Sequence, residues 1–297
     1  NQSNILPSDF LPGHFLPSGP GPSAPPRIPR VLAIAGSDPS GGAGIQADLK
    51  SFSANGVYGA SVLTALTAQN TLGVTAIHDV PTDFIRAQMD AVYSDLSVSA
   101  TKIGMLSQPD VIVAVGAGLD AHETGPVVLD PVMVAASGDP LLADEAVSVL
   151  MEVLLPKADL ITPNLLEAGR MLNCEPANNE VEMTGQAEQL IKKGAKAVLL
   201  KGGHGTGSDS EDLLLDAQGA TWLRAKRLET SNTHGTGCTL SSAIAAGFAK
   251  GQPLAEAADH AKRYITAAIQ AADNLEIGKG HGPVHHFHQF WKQGTSA

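Results

Sequence analysis

Residues 233–240, THGTGCTL, carry the chain's most concentrated chemistry. Gly235 and Gly237 allow a tight turn where a helix is predicted to begin, so several N–H groups point outward together and the helix dipole favours negative charge. Such an end holds an anion, and Thr233 and Thr236 flank it. Cys238 falls in the first turn of that helix, where the same field favours a thiolate and equips the residue as a base or nucleophile. The segment equally fits an ordinary glycine-punctuated helix start with an inert, buried cysteine.

Other segments add compatible chemistry. Lys201 ends a buried apolar run and precedes two glycines, a position that calls for an anion nearby. Asn164 and Glu167 follow a Thr-Pro at a strand end; they read either as a reciprocal helix cap or as oxygen donors for Mg²⁺ beside phosphates. Residues 36–44, GSDPSGGAG, resemble a phosphate loop but lack the Gly-Lys-Ser/Thr ending and the dinucleotide spacing, so a plain flexible turn fits as well. Asp48, four residues on, reads as a cleft carboxylate or a solvated one. His281, His285, His286 and His288 invite a zinc reading, but adjacent histidines share no helix face and no Cys or paired carboxylate completes a set, so a surface or oligomer-contact role is expected.

These residues need a scaffold. From residue 31, short apolar runs at 31–36, 61–69, 100–105, 127–130, 159–162 and 197–201 read as buried strands. They alternate with helical spacing at 44–55, 82–95, 108–121, 140–155, 164–173 and 180–193. This alternation predicts a mostly parallel sheet with helices on both faces. Residues 212–215 and 220–223 suggest an antiparallel hairpin near an edge, and helices at 237–249 and 254–273 finish the domain. Polar or glycine-rich residues recur at six strand ends, namely Gly36-Ser37-Asp38, Gln69-Asn70, Gly104-Met105, Asp130-Pro131, Thr162-Pro163-Asn164 and Lys201-Gly202-Gly203. Open parallel sheets bind ligands there, so one shared cleft is expected.

Composition narrows the partners. Nineteen Lys and Arg against thirty Asp and Glu give the 297 residues a formal charge of −11 without a basic stripe. Binding to nucleic acid or an anionic membrane is therefore not expected. Two distant cysteines argue for a reducing, cytoplasmic setting without disulfides, and no apolar run reaches about 18 residues. Residues 1–30, rich in Pro, Gly and Ser and lacking the pattern of a secretory signal, are expected to be a disordered extension.

Several motifs together closely resemble the hydroxymethylpyrimidine/phosphomethylpyrimidine kinases of thiamine biosynthesis, in the ribokinase-like superfamily. The markers are residues 35–50 (AGSDPSGGAGIQADLK), 64–70 (TALTAQN), 101–106 (TKIGML), 129–133 (LDPVM), 137–139 (SGD), 162–167 (TPNLLE), 201–204 (KGGH), 232–240 (NTHGTGCTL) and 280–288 (GHGPVHHFH). They are colinear and span 31–291, leaving 292–297 as a tail.

The resemblance implies a three-layer α/β/α sandwich that transfers the γ-phosphoryl group of ATP with Mg²⁺. The family phosphorylates 4-amino-5-hydroxymethyl-2-methylpyrimidine and then its monophosphate. Gly36, Ala43, Asp48, Gln69, Met105 and Val132 would form the pyrimidine pocket. Lys201, Asn164 and Thr233 would contact nucleotide phosphates, Glu167 would organise Mg²⁺, and Gly235, Thr236, Gly237 and Cys238 would form the anion hole. A homodimer is also implied. Most of the superfamily has Asp where this chain has Cys238, a substitution shared with some pyridoxal kinases. Those enzymes place a second cysteine in a lid that here reads VAASGD at 134–139, which favours the pyrimidine. The alternatives are a pyridoxal kinase and a catalytically silent pyrimidine-binding module.

Overall fold

A computed structural model describes residues 27–135, 138, 141–203 and 209–291. The expected extension (save 27–30), the 292–297 tail and parts of the SGD and KGGH markers lie outside the described residues.

Nine strands form one sheet in the order β3-β2-β1-β4-β5-β6-β7-β8-β9. The parallel centre comprises β2 (Tyr58–Asn70), β1 (Arg30–Ser37), β4 (Ala100–Ile103), β5 (Val127–Leu129), β6 (Leu160–Ile161) and β7 (Val198–Lys201). At one edge β7 pairs antiparallel with β8 (Asp209–Asp216), which turns into β9 (Gly219–Lys226), giving the expected hairpin. At the other edge β3 (Gly73–Asp79) pairs antiparallel with β2. That strand escapes the apolar-run reading because it is mostly exposed, and its pairing rather than burial defines it.

Alternation along the central strands builds two cores. In β1, Leu32 and Ile34 face one layer while Val31, Ala33 and Ala35 face the other, as the pleat requires. The first layer holds α2 (Thr82–Asp95), α3 (Pro109–Ala121), α4 (Asp144–Val153), α5 (Leu165–Leu172) and α6 (Glu180–Lys192). The second holds α1 (Gly44–Ala54), α7 (Thr236–Ala249) and α8 (Leu254–Gln270). The chain thus adopts the three-layer sandwich with a mostly parallel sheet. Small residues let α7 sit close to both the sheet and α8: Ala243, Ala245, Ala246 and Ala257 are fully buried. This close packing aims the N-terminus of α7 at the carboxyl ends of the parallel strands.

Candidate active site

A cavity of about 610 Å³ opens at those strand ends. It gathers Gly36, Ala43, Gln69, Met105 and Val132 on one side, with Asn164, Glu167, Lys201 and Thr233 towards the other, and Gly235, Thr236, Gly237 and Cys238 between them. Asp48 is absent from the wall, contrary to expectation. It lies fully buried on α1, where its Oδ1 meets Lys102 Nζ at 2.8 Å and accepts the Ser242 hydroxyl at 2.7 Å. This buried ion pair forms the floor beneath α7, because Lys102 has nowhere to go inside the sheet without a partner.

Gly235 caps α7 with φ +79°, a left-handed conformation that favours glycine, and a Cβ there would overlap the Gly42 carbonyl oxygen. Thr239 N–H begins the helical ladder at Gly235 O (2.9 Å), while the preceding Gly237 and Cys238 amides belong to the turn that has no intrahelical partner. Those donors lie at the helix start that the sequence singles out. A Cβ on Gly237 would lie 3.2 Å from Lys201 Nζ and 3.6 Å from Asp130 Oδ2, so this turn faces the charged end of the cavity directly.

Lys201 owes its position to β7. Its amide donates to Pro163 O at 2.8 Å, and its Nζ lies 2.9 Å from Asp130 Oδ1 at the end of β5. Burial alone would lower the Lys201 pKa, but the Asp130 and Glu167 carboxylates reverse this and hold the ammonium charged. Asp130 in turn stays below the ordinary carboxylate range despite its burial, held there by Lys201 and Lys102. In the sequence Asp130 stands out only as one of several polar strand ends. Its partnership with Lys201 joins positions 71 residues apart and needs adjacent strand ends to be seen.

Asn164 and Glu167 do form the reciprocal cap: Glu167 N–H donates to Asn164 Oδ1 (2.8 Å) and Asn164 N–H to Glu167 Oε2 (2.7 Å). This cap does not exclude a site role, since Glu167 also lines the cavity. Burial pushes its carboxyl up to about 7, with Lys201 opposing and Asp130 reinforcing the rise. Among the described residues no cluster of three His, Cys, Asp or Glu side chains could cage a metal. The Asp130 and Glu167 carboxylates beside Lys201 nevertheless fit Mg²⁺, which keeps several waters and needs few protein ligands.

Three expectations need correction. The Cys238 thiol is not poised as a thiolate: burial pushes it up to about 11, and the opposing effects of Lys102 and of a hydrogen bond from the Gly44 amide do not compensate. Residues 36–44 are not a plain flexible turn, because the Asp38 carboxylate accepts the N–H groups of Ser40, Gly42 and Ala43 at 2.9–3.1 Å. Finally, His285 and His286 are buried rather than on the surface. His286 Nε2 pairs with Thr239 Oγ1 at 2.9 Å, and burial drops its pKa to about 3, so it is a neutral packing group under α7.

A three-layer sandwich with a glycine-opened helix start, a charged Lys and buried carboxylates around one cleft defines a ribokinase-like small-molecule kinase. The phosphomethylpyrimidine kinase family profile matches residues 38–285. The chain is 60% identical over 262 residues to the hydroxymethylpyrimidine/phosphomethylpyrimidine kinase of Rhizobium meliloti (strain 1021), covering 88% of this chain and 98% of that protein. With the Salmonella typhimurium protein of the same name it shares 52% over 261 residues, again 88% and 98% of the two chains. The solved phosphomethylpyrimidine kinase of Clostridium difficile 630 superposes with a TM-score of 0.72 at 43% identity, covering 82% of this chain and 100% of the other. An ADP complex of Bacillus subtilis pyridoxal kinase superposes with a TM-score of 0.82 at 36% identity, covering 90% and 100%. This chain belongs to the phosphomethylpyrimidine kinase family.

Proposed function

We propose that the protein uses ATP and Mg²⁺ to phosphorylate the hydroxymethyl group of 4-amino-5-hydroxymethyl-2-methylpyrimidine, and then phosphorylates the monophosphate to the diphosphate for thiamine biosynthesis. The observation that carries this reading is the Gly237 turn of α7 facing Lys201 across the same cavity that Gln69 lines. Gln69 offers both a donor and an acceptor to an aminopyrimidine edge. The Thr67 hydroxyl bonds its Oε1 at 3.2 Å and Ser37 O at 2.8 Å, tying that side chain to the first loop.

In this reading the pyrimidine lies against Gly36, Ala43, Gln69, Met105 and Val132, and nucleotide phosphates reach Lys201, Asn164 and Thr233. Charge on the transferring phosphoryl group is met by the Gly237 and Cys238 amides and by Lys201, all fixed before the reaction. Glu167 and Asp130 would hold Mg²⁺, which when bound would supply further charge neutralisation. A loose transfer demands little from a base, which suits a Cys238 thiol that burial holds neutral at pH 7. The test is direct. Purified protein is incubated with ATP, Mg²⁺ and the pyrimidine alcohol or pyridoxal in separate reactions, and products are identified by mass. Pyrimidine mono- and diphosphate support the proposal, whereas turnover of pyridoxal alone replaces it with the reading favoured by the pyridoxal kinase fold match. Absence of any transfer leaves a binding module. We also propose a homodimer, to be checked by mass in solution.

A further inference from the structure

Asp38 and His234 are buried polar residues on the cavity wall to which the phosphoryl-transfer reading gives no role. His234 Nε2 lies 2.8 Å from Asp38 Oδ2 across 196 residues of sequence. The same carboxylate accepts Ser40 N–H (2.9 Å), Ser40 Oγ–H (2.7 Å), Gly42 N–H (3.1 Å) and Ala43 N–H (2.9 Å), so it organises the entire loop that carries Ala43. The His234 backbone is held independently: its N–H donates to Gly282 O at 3.0 Å, and its carbonyl accepts Val284 N–H at 3.3 Å. Its ring packs on Gly42 so closely that a Cβ there would overlap it. Gly235, the next residue, begins the anion-binding turn.

From this geometry we infer that His234 is a positioning residue: through Asp38 it registers the 36–44 loop against the Gly235–Cys238 turn, and so sets the separation between the acceptor hydroxyl and the transferring phosphoryl group. The inference rests on the kinase reading above. Asp38 gathers the loop's donors, and the His234 side chain carries that gathered unit across to the turn that Gly235 opens, beside the bond from the Gly44 amide to the Cys238 thiol. A loop displaced by about 1 Å still binds its ligand but presents the hydroxyl off line, and misplacement of that size costs on the order of 10²-fold in turnover. Water then competes for the phosphoryl group, and ADP and inorganic phosphate form without phosphorylated pyrimidine.

The experiment compares wild type, His234→Ala and His234→Gln by turnover, ATP affinity and the ratio of ADP formed to pyrimidine phosphorylated. The Gln side chain can still donate to Asp38, whereas Ala cannot. We expect His234→Ala to lose roughly 10²-fold in turnover, keep ATP affinity within about twofold, and show a raised ADP-to-product ratio; His234→Gln recovers most of the turnover and the coupling. A His234→Ala protein with wild-type turnover and coupling overturns the inference, as does one whose turnover and ATP affinity fall together with coupling intact. If His234→Ala does not fold, Asp38→Asn is read by the same ratio, and tight coupling in it is equally fatal. Wild-type transfer to the pyrimidine tests the kinase reading separately, because the variant comparison concerns only ratios to wild type.

Discussion

Cys238 shows how far a residue's chemistry depends on what surrounds it. A helix start favours a thiolate, but burial, with Asp48 and Asp130 nearby, outweighs that field and leaves the thiol neutral at pH 7. Alkylation of Cys238 should therefore be slow at pH 7 and accelerate towards pH 11, with exposed Cys174 serving as internal control in the same peptide-mass measurement. Cys238→Ser should keep turnover within about tenfold of wild type, below the 10²–10⁴ range that loss of a general base produces. Glu167 is the second case. Its folded pKa of about 7 lies above the ordinary 4.5, so the unfolded chain ionises first and stability falls as pH rises from 4.5 to 7. In metal-free and nucleotide-free buffer, Glu167→Gln should thus be near neutral at pH 5 and stabilising at pH 8, by up to about 3 kcal/mol from the size of the shift. Denaturant melts at the two pH values check this, and equal effects at both would refute it. The same variant should lose kinase turnover, as expected where a buried charge is kept for function.

At the scale of elements, α7 carries the site because its ends and faces are all committed. Its first turn is open to the cavity, Thr239 is tied to His286, and Ser242 is tied to Asp48. Gly237→Ala leaves this scaffold alone but puts a methyl group 3.2 Å from Lys201 Nζ, inside the anion site. Turnover should fall at least about tenfold, the equivalent of losing one well-placed donor's contribution, with little change in melting temperature. The floor predicts the opposite pattern. Lys102→Met strands the Asp48 carboxylate in the interior and should destabilise by about 3–5 kcal/mol, measured by chemical denaturation. Adding Asp48→Asn should recover most of that loss, since it removes the orphaned charge rather than restoring the pair.

For the whole molecule, the sheet distributes stability unevenly. β1 is hydrogen-bonded on both sides and covered by helices on both faces, whereas β3 pairs with β2 alone and is mostly exposed. Amide exchange should accordingly be slowest in β1 and β4 and orders of magnitude faster in β3. Uniform protection across the sheet would contradict this division.

That unevenness also marks what could be read before folding. Buried parallel strands are continuous apolar runs, so Val198–Lys201 and its neighbours were legible, as were the helices by their 3.6-residue period. An exposed edge strand such as Gly73–Asp79 has no burial signature and went unseen. Likewise, a glycine-opened helix start and Lys201 at the end of a buried strand pointed to an anion site, whereas Asn164 and Glu167 read equally as a helix cap. Amino-acid order by itself thus determined the layered α/β/α arrangement and the cleft at the strand ends, with most of the residues that line it. Tertiary structure alone decided which charges are paired and which are free. Asp48 went to Lys102, Asp38 to His234, and Asp130 to Lys201. Pairing and desolvation act through space between residues tens to hundreds of positions apart, and only the closed fold brings them within reach.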